Sequence, residues 1–492
     1  MQLPVLLSVG PPANAAGLAY PHSFRHTVYH LVPAVLPFVG KGNAMESIQS
    51  FVRSLNRALW DPVLLLVLCG VGVFFTLRLR FVQVRRLGAA FRQAFGGLGR
   101  RQSTGGVSSF QALATAIAAQ VGTGNLAGAA TAIALGGPGA IFWMWVSAFF
   151  GMATTYAEAL LAQRYRTRQD GQPTGGPVYY IRAAFPGLFG RLLAAAFALL
   201  LVLALGFMGS MVQSNSIAQA CTAAFGWDPV AVGAAVALLS LLVFVGGARR
   251  VASFTGKLVP VMALFYLAGS LYVITTHAGN LLPALGSIFV GAFAPQALGG
   301  GLAGATVKKA VRYGVARGLF SNEAGMGSTP HAHALAQVSH PVQQGYVAML
   351  GVFVDTFVIL TLTALVILTT GVLQPGGALQ GTALTQAGFT AALGPLGAPF
   401  IAVCMFFFAF SSILGWYYFG EVNVRYLFGG RGVKPYCLLA CLCIVLGAGL
   451  QVDLVWQMAD VCNGLMALPN LLALVALQST VVSLTRDYEG RR

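Results

Sequence analysis

Gly122-Thr123-Gly124-Asn125 is the stretch whose residue types most invite chemistry. It lies in the middle of an apolar run, from about Ser108 to Leu135, that is otherwise long enough to cross a bilayer as one helix. Two glycines around a hydroxyl, with an amide after them, make a poor helix centre, because Gly costs roughly 1 kcal/mol against Ala there. In hydrocarbon a broken turn also strands backbone N–H and C=O groups, which is tolerated only where protein or a water-filled cavity meets them. An inward-facing interruption at mid-depth is therefore a candidate place to hold a small polar solute or an ion. A kink, or close packing against a neighbouring helix, is the other reading of the same residues.

Other residues fit the same chemistry. Ser411-Ser412 sits near the centre of a second apolar run, 397–424. Hydroxyls and freed backbone carbonyls are the hard oxygen ligands that a small alkali cation takes, although a lone Ser in a membrane helix more often bonds its own i−4 carbonyl. Trp416, one turn further on, is too deep for an interfacial Trp and suits a cavity wall. Ser210, Gln213 and Ser214 share a helical face. An intramembrane amide there suits the polar groups of a zwitterion, or makes a helix–helix hydrogen bond worth about 1 kcal/mol. Among ionisable residues Asp355 is the deepest, with Glu158 and Glu421 nearer the ends of their runs. Asp355 reads either as a proton or cation site or as the partner of a buried Lys or Arg. Ser321 to Ser328 reads as a small-residue intracellular turn that gates or caps its neighbours. His331, His333, His340 and Glu323 leave a membrane-embedded metal-dependent enzyme as a distant alternative, because their spacing fits neither H-E-x-x-H nor a zinc finger. Gly122-x-Gly124-x-x-x-Gly128 lacks the spacing and βαβ setting of a dinucleotide site.

The elements that must position these residues follow from composition. Of 492 residues 57% are hydrophobic and 8% charged, whereas a soluble globular chain carries about a quarter charged. The formal net charge of +17 would suit nucleic acid. The basic residues, however, fall in short clusters between apolar runs, as topology signals do, so no nucleic-acid partner is expected. Seven cysteines without C-x-x-C pairs indicate neither a disulfide scaffold nor a zinc site. Spanning-length runs fall at about 60–78, 108–135, 138–163, 190–221, 229–247, 252–276, 281–300, 345–371, 397–424, 435–451 and 454–478, giving eleven transmembrane helices.

Basic residues follow every odd-numbered run, among them Lys308, Lys309, Arg312 and Arg317 after the seventh, while the alternate connections hold no Lys or Arg. This pattern predicts an outside amino end and a cytoplasmic carboxyl end. Residues 302–318 read as an interfacial helix inside the cell, and 380–394 as a short helix on the outer face. The seventh run, crowded with Pro283, Gly286, Gly291, Pro295 and Gly299-Gly300-Gly301, reads as a second interrupted helix. The two interruptions are five helices apart, which predicts two inverted five-helix repeats, helices 2–6 and 7–11, after one extra helix. The expected divisions are 1–44, an extension that is disordered or a mis-assigned start with Met45 the initiator; 45–107, the first helix and a basic cytoplasmic loop; 108–276 and 277–480, the repeats; and 481–492, a cytoplasmic tail.

Several motifs carry a resemblance: Gly122-Thr123-Gly124-Asn125-Leu126-Ala127-Gly128, Gly136 to Trp145, Tyr156-Ala157-Glu158, Gly175-Gly176-Pro177, Ser321-Asn322-Glu323-Ala324-Gly325-x-Gly327-Ser328 and Gly415-Trp416-Tyr417-Tyr418. From about Met45 to Leu477 the chain resembles the alanine/glycine:cation symporters, sodium-coupled carriers of small neutral amino acids with the LeuT-type fold. The resemblance implies that Thr123, Gly124, Asn125 and Gln213 meet the amino acid and that Trp416 walls the pocket; Phe293, on the seventh run, is placed beside them as a further pocket residue. It implies a sodium ion between the carbonyls of Ala118 and Val121 and the hydroxyls of Ser411 and Ser412. The expectation is an all-α transporter, not an enzyme. It would sit in the bacterial plasma membrane, work as a monomer, use no cofactor, and import alanine or glycine with sodium. A proton-coupled carrier using Asp355 or Glu158 is the alternative, and a channel the more remote one.

Overall fold

The computed structural model describes residues 42–96, 107–169, 171–294, 306–373, 379–450 and 452–491. The expected extension at 1–44 lies almost wholly outside them, as do Pro295, Gly299-Gly300-Gly301 and the start of the expected interfacial helix at 302. Two compact units are distinguished, Met1–Phe51 and Val52–Arg492. The described part of the first is helical and opens α1 (Gly42–Ala58).

Among the described residues the fold is almost entirely helical, and seven helical runs are long and apolar enough to cross a membrane. After α1 the chain winds through Leu59–Val63 into α2 (Leu64–Arg78). Its third long element begins at a capping box: the Ser108 hydroxyl accepts from the Gln111 N–H, and the Gln111 side chain takes the Ser108 N–H. Helix α3 (Ser109–Gln120) stops where Val121 turns extended, and winding resumes at Gly124–Gly128 with i→i+5 bonding before α4 (Ala129–Gly136). The run 108–135 is thus broken at the glycine-rich tetrapeptide, as its composition predicts. Then follow α5 (Ala140–Arg164), α6 (Gly187–Leu201), α7 (Ser210–Phe225), α8 (Pro229–Phe244) and α9 (Gly247–Thr276).

The second interruption is not where the glycine count puts it. Helix α10 (Leu281–Phe293) is 13 residues, about 20 Å at 1.5 Å per residue, too short to span. Both its ends meet the same end of the bundle: the Asn280 amide donates to the carbonyl of Thr369, and the Trp143 indole donates to that of Ala292. The broken helix is the next one. Helix α11 (Val307–Asn322) ends at Glu323, whose φ of 55° is left-handed, and Gly325 and Gly327 follow with φ of 83° and 79° before α12 (Pro330–Ala334). Side-chain contacts fix its direction. A Cβ on Gly314 would strike the Ala140 carbonyl, one on Gly318 would press on Met144 and Ser147, and one on Gly151 on Ala324. Further along, Gln163 donates to the Ala336 carbonyl. Residues 314–336 therefore run beside 140–163 in the same sense, and opposite to α3–α4. Residues 307–318 are part of this broken rod rather than an interfacial helix, and 321–328 is its central gap rather than an end turn. Lys309, whose carbonyl lies against Gly136, sits at the opposite end of the bundle from Val107, which pairs with Ala336. Those four basic residues therefore do not belong with the clusters near Ser108.

The second set continues with α13 (Pro341–Val352), an i→i+5 segment Phe353–Leu360, α14 (Thr361–Thr369), α15 (Gly381–Leu393), α16 (Gly397–Phe428), α17 (Val433–Gly449) and α18 (Asp453–Ala476). Helix α15 matches the expected short helix at 380–394, and the Thr385 hydroxyl on it donates to the Leu126 carbonyl just beyond the first gap.

Candidate functional site

The two gaps meet. Gln120, the last residue of α3, donates 2.7 Å to the carbonyl of Asn322, the last residue of α11. A Cβ on Gly124 would stand 3.3 Å from Ser321. Asn125, fully buried, spans both sides of the gap. Its carbonyl oxygen takes the Gly122 N–H at 3.0 Å, and its amide donates 2.7 Å to Asp355 Oδ1. The same Asp355 oxygen accepts from the Ser321 hydroxyl at 3.1 Å, and Oδ2 accepts from Thr356 at 2.8 Å. Of the two readings of Asp355, pairing with a buried Lys or Arg finds no such partner among the described residues. Its donors are neutral and come from three elements.

Gln213 reaches the site from α7 and accepts the Thr123 N–H at 3.3 Å. Thr123 Oγ1 is buried with no hydrogen-bond partner, a hydroxyl left over at the gap. A methyl at Gly122 would run into Ser412 Oγ and stand 3.0 Å from the Gln213 amide, so the absence of a side chain there admits both neighbours. From α16, Ser411 Oγ lies 3.2 Å from the Ala118 carbonyl and Ser412 Oγ 3.5 Å from that of Val121. Each serine also bonds the Phe408 carbonyl, at 2.8 and 3.1 Å. The four groups expected to hold a cation are therefore brought together: two carbonyls at the end of α3 and two hydroxyls facing them.

Trp416 lies close to Gly209, where a Cβ would come within 2.8 Å of its ring. Its indole N–H donates 2.6 Å to Glu323 Oε1, and Ser328 donates to the other oxygen. Glu323 thus ties α16 to the second gap. Glu158 braces that gap from α5, accepting from the backbone N–H of Gly327 at 3.0 Å, that of Gly325 at 3.3 Å and the Asn470 amide at 2.6 Å. A carboxylate that takes two freed N–H groups fits the need of a broken helix in an apolar setting. Phe293 is not brought to the cluster. It ends α10 with 61% of its surface exposed, and its ring contacts are Phe142 and Trp143. His331 and His333 are buried on α12, whereas His340 caps α13. His331 is bonded through one ring nitrogen to the Ser328 carbonyl at 2.7 Å and through the other to Asn423 at 2.9 Å.

Ser321, Asn322, Glu323 and Gln120 are site residues that spacing alone does not single out. The signal for the first three is Ser-Asn-Glu-Ala-Gly-x-Gly-Ser after a helix of small residues; Gln120 has none beyond its place just before the first gap. The basic start of that helix masks it as a spanning segment.

The sodium:alanine symporter family matches residues 45–492. The sodium/alanine symporter AgcS of Methanococcus maripaludis is 45% identical over 448 residues, covering 90% of this chain and 98% of that one. A putative sodium/proton-dependent alanine carrier protein of Bacillus subtilis, YrbD, is 41% identical over 459 residues, covering 90% and 93%. Among solved structures, MhsT in complex with L-phenylalanine superposes with a TM-score of 0.54 at 15% identity, covering 79% of this chain and 98% of that one, which establishes the LeuT-type fold. With two interrupted helices crossing in opposite senses and meeting at their gaps, and with the family's sequence along nine-tenths of its length, this chain belongs to the sodium:alanine symporter family of multi-pass membrane transporters and is not an enzyme.

Proposed function

We propose that the chain carries alanine or glycine into the cell together with sodium, by alternating access around the meeting point of the two gaps. The carrying observation is the convergence of Ala118, Val121, Ser411 and Ser412 beside the hydroxyl of Thr123, the N–H groups of the first gap and Gln213. Sodium would be held by the two carbonyls and two hydroxyls, an all-oxygen set suited to a hard cation. The amino acid's carboxylate would lie against the N–H groups near Thr123 and Gly124, which the broken helix leaves without intrahelical partners and which favour an anion; that of Thr123 is held by Gln213 and would exchange that partner for the carboxylate. Its ammonium would face acceptors among Asn125 and Gln213. Trp416, fixed by Glu323, would limit the side chain to a hydrogen or a methyl. Phe293 has no place in this pocket. Sodium entering first would tie α16 to the end of α3 and leave the pocket formed for the amino acid. The topology proposed is a plasma-membrane protein with the Ser108 end cytoplasmic, an outside amino end, a cytoplasmic carboxyl end and a monomeric working unit.

Proton coupling through Asp355 or Glu158 is a second reading, supported by the full burial of both carboxyls and by the relative named for sodium and protons. Uptake of labelled alanine into proteoliposomes separates the two. Replacing external sodium by choline abolishes uptake on the sodium reading, and collapsing the pH gradient leaves it intact. Uptake that ignores sodium and falls with the pH gradient would establish the proton reading instead.

A further inference from the structure

A cavity of about 280 Å³ opens between α1, α11 and α18. No step of the proposed transport uses it. Among the described residues four guanidinium groups line it, Arg53 and Arg57 from α1 and Arg312 and Arg317 from α11, against one carboxylate, Asp460 of α18. Arg57 and Arg317 make no hydrogen bond or ion pair among the described residues, so two cations face the space with nothing bonded to them. The opposite wall has the converse surplus. Asp460 Oδ1 and Gln457 Oε1, three residues apart on α18, are buried oxygens with no donor. Both border the cavity; Asn56 bonds Asp460 and the Arg317 charge acts on it through space, yet these two oxygens receive no donor. A simple anion would satisfy the arginines and leave these oxygens stranded. A simple cation would do the reverse and meet four like charges. The ligand that answers both walls carries anionic oxygens and N–H donors a few ångströms apart.

The surroundings choose its source. Trp60, at the head of α2, donates 3.0 Å to the Asp460 carbonyl, and a Cβ on Gly464 would collide with Leu64, so α2 and α18 form a close-packed wall. Directly beyond Trp60, α2 turns an apolar strip outward: Val63, Leu66 and Val67 are 43%, 74% and 36% exposed. A charged cavity above an exposed apolar helix face, entered beside an amphipathic helix with arginines on its polar side, has the layout of a membrane interface. We infer that this cavity is a binding site for a phospholipid headgroup that joins a phosphate to a primary ammonium, the phosphatidylethanolamine type. Its phosphate sits among Arg57, Arg317 and their neighbours, its ammonium on Asp460 and Gln457, and its acyl chains along α2.

The test is native mass spectrometry of the purified full-length chain with added phosphatidylethanolamine, phosphatidylcholine or phosphatidylglycerol of equal chain length. The ethanolamine lipid should be retained about tenfold better than the choline lipid, which has the same phosphate but no N–H to give, on the scale of one hydrogen bond to a charged group. Asp460→Asn should bring the two lipids level, and the pair Arg57→Gln with Arg317→Gln should weaken all three. Sodium-dependent binding of labelled alanine at the central site, unchanged in each variant, reports that the fold is intact. Equal retention of the three headgroups by the unaltered protein would overturn the proposal without any variant. So would displacement of the ethanolamine lipid by millimolar free alanine, which would make the ligand a soluble amino acid.

Discussion

Gly122 is a residue whose role reduces to space. A Cβ there would occupy the position of Ser412 Oγ and crowd the Gln213 amide, so Gly122→Ala must push α16 or α7 away from the end of α3. Overpacking of this kind costs about 1–3 kcal/mol. Gly122→Ala should weaken sodium-dependent alanine binding at least tenfold while the protein still purifies as a monodisperse species. Unchanged affinity by scintillation proximity would contradict that placement of the two serines. Trp416 is judged by its N–H. Trp416→Phe keeps an aromatic wall but leaves Glu323 Oε1 without its donor, at a cost of about 1–3 kcal/mol. Trp416→Leu removes the wall as well. Phe should therefore lower the melting temperature while still rejecting larger amino acids, and Leu should admit them. Competition of valine and leucine against labelled alanine reads the difference.

At the scale of the element, the second broken helix depends on neighbours for what its winding gives up. Gly325 and Gly327 sit at φ of 83° and 79°, a region costing an L-residue roughly 1–2 kcal/mol, and their N–H groups are held by Glu158. Glu158→Gln trades one acceptor oxygen for a donor that faces those N–H groups. Thermal unfolding in detergent should show a loss of about 2 kcal/mol or more, and a variant as stable as the parent would mean that Glu158 does not hold the gap. The first gap was readable because two glycines interrupt an otherwise apolar run at Gly122 and Gly124. The second was misplaced for a physical reason. Hydropathy detects a helix by the lipid it faces, whereas α11 lies against α5 through Gly314 and Gly318 and carries Lys308, Lys309, Arg312 and Arg317. Such a helix does not need an apolar surface all round. Glycine count then favoured 281–300, of which the described part, α10, stays at one end of the bundle. The serines of α16 and Gln213 were legible from chemistry alone. The roles of Glu323 and Glu158 were not, because a carboxylate bonded to a neighbouring element's backbone or indole leaves no trace in spacing.

At the scale of the whole molecule, the corrected path of residues 307–336 changes which loops share a side. Lys309 lies against Gly136, and Ala336 against Val107. In a cysteine-free background, Lys309→Cys should therefore react with a membrane-impermeant maleimide from the same side as a cysteine at Trp227, which is exposed just beyond α7, and Gln337→Cys from the opposite side with one at Arg166. Labelling of position 309 together with position 166 would restore the interfacial reading and undo the inverted pairing of the two broken helices. That pairing lets one region serve both sides of a membrane: each gap is braced by the other set's helices, Asn125 by Asp355 and the N–H groups of Gly325 and Gly327 by Glu158, so movement of one set against the other must rearrange the contacts around the bound solute.

The central claim is that the end of α3 and the serines of α16 form a cation site coupled to the first gap. Equilibrium binding of labelled alanine as a function of sodium concentration, for the unaltered protein and for Ser411→Ala with Ser412→Ala, tests it most directly. Binding should require sodium in the unaltered chain, and the double variant should need about tenfold more sodium to reach half-saturation while keeping its alanine affinity at saturating sodium. Alanine binding with the same sodium dependence in both proteins, or with none in either, would contradict it.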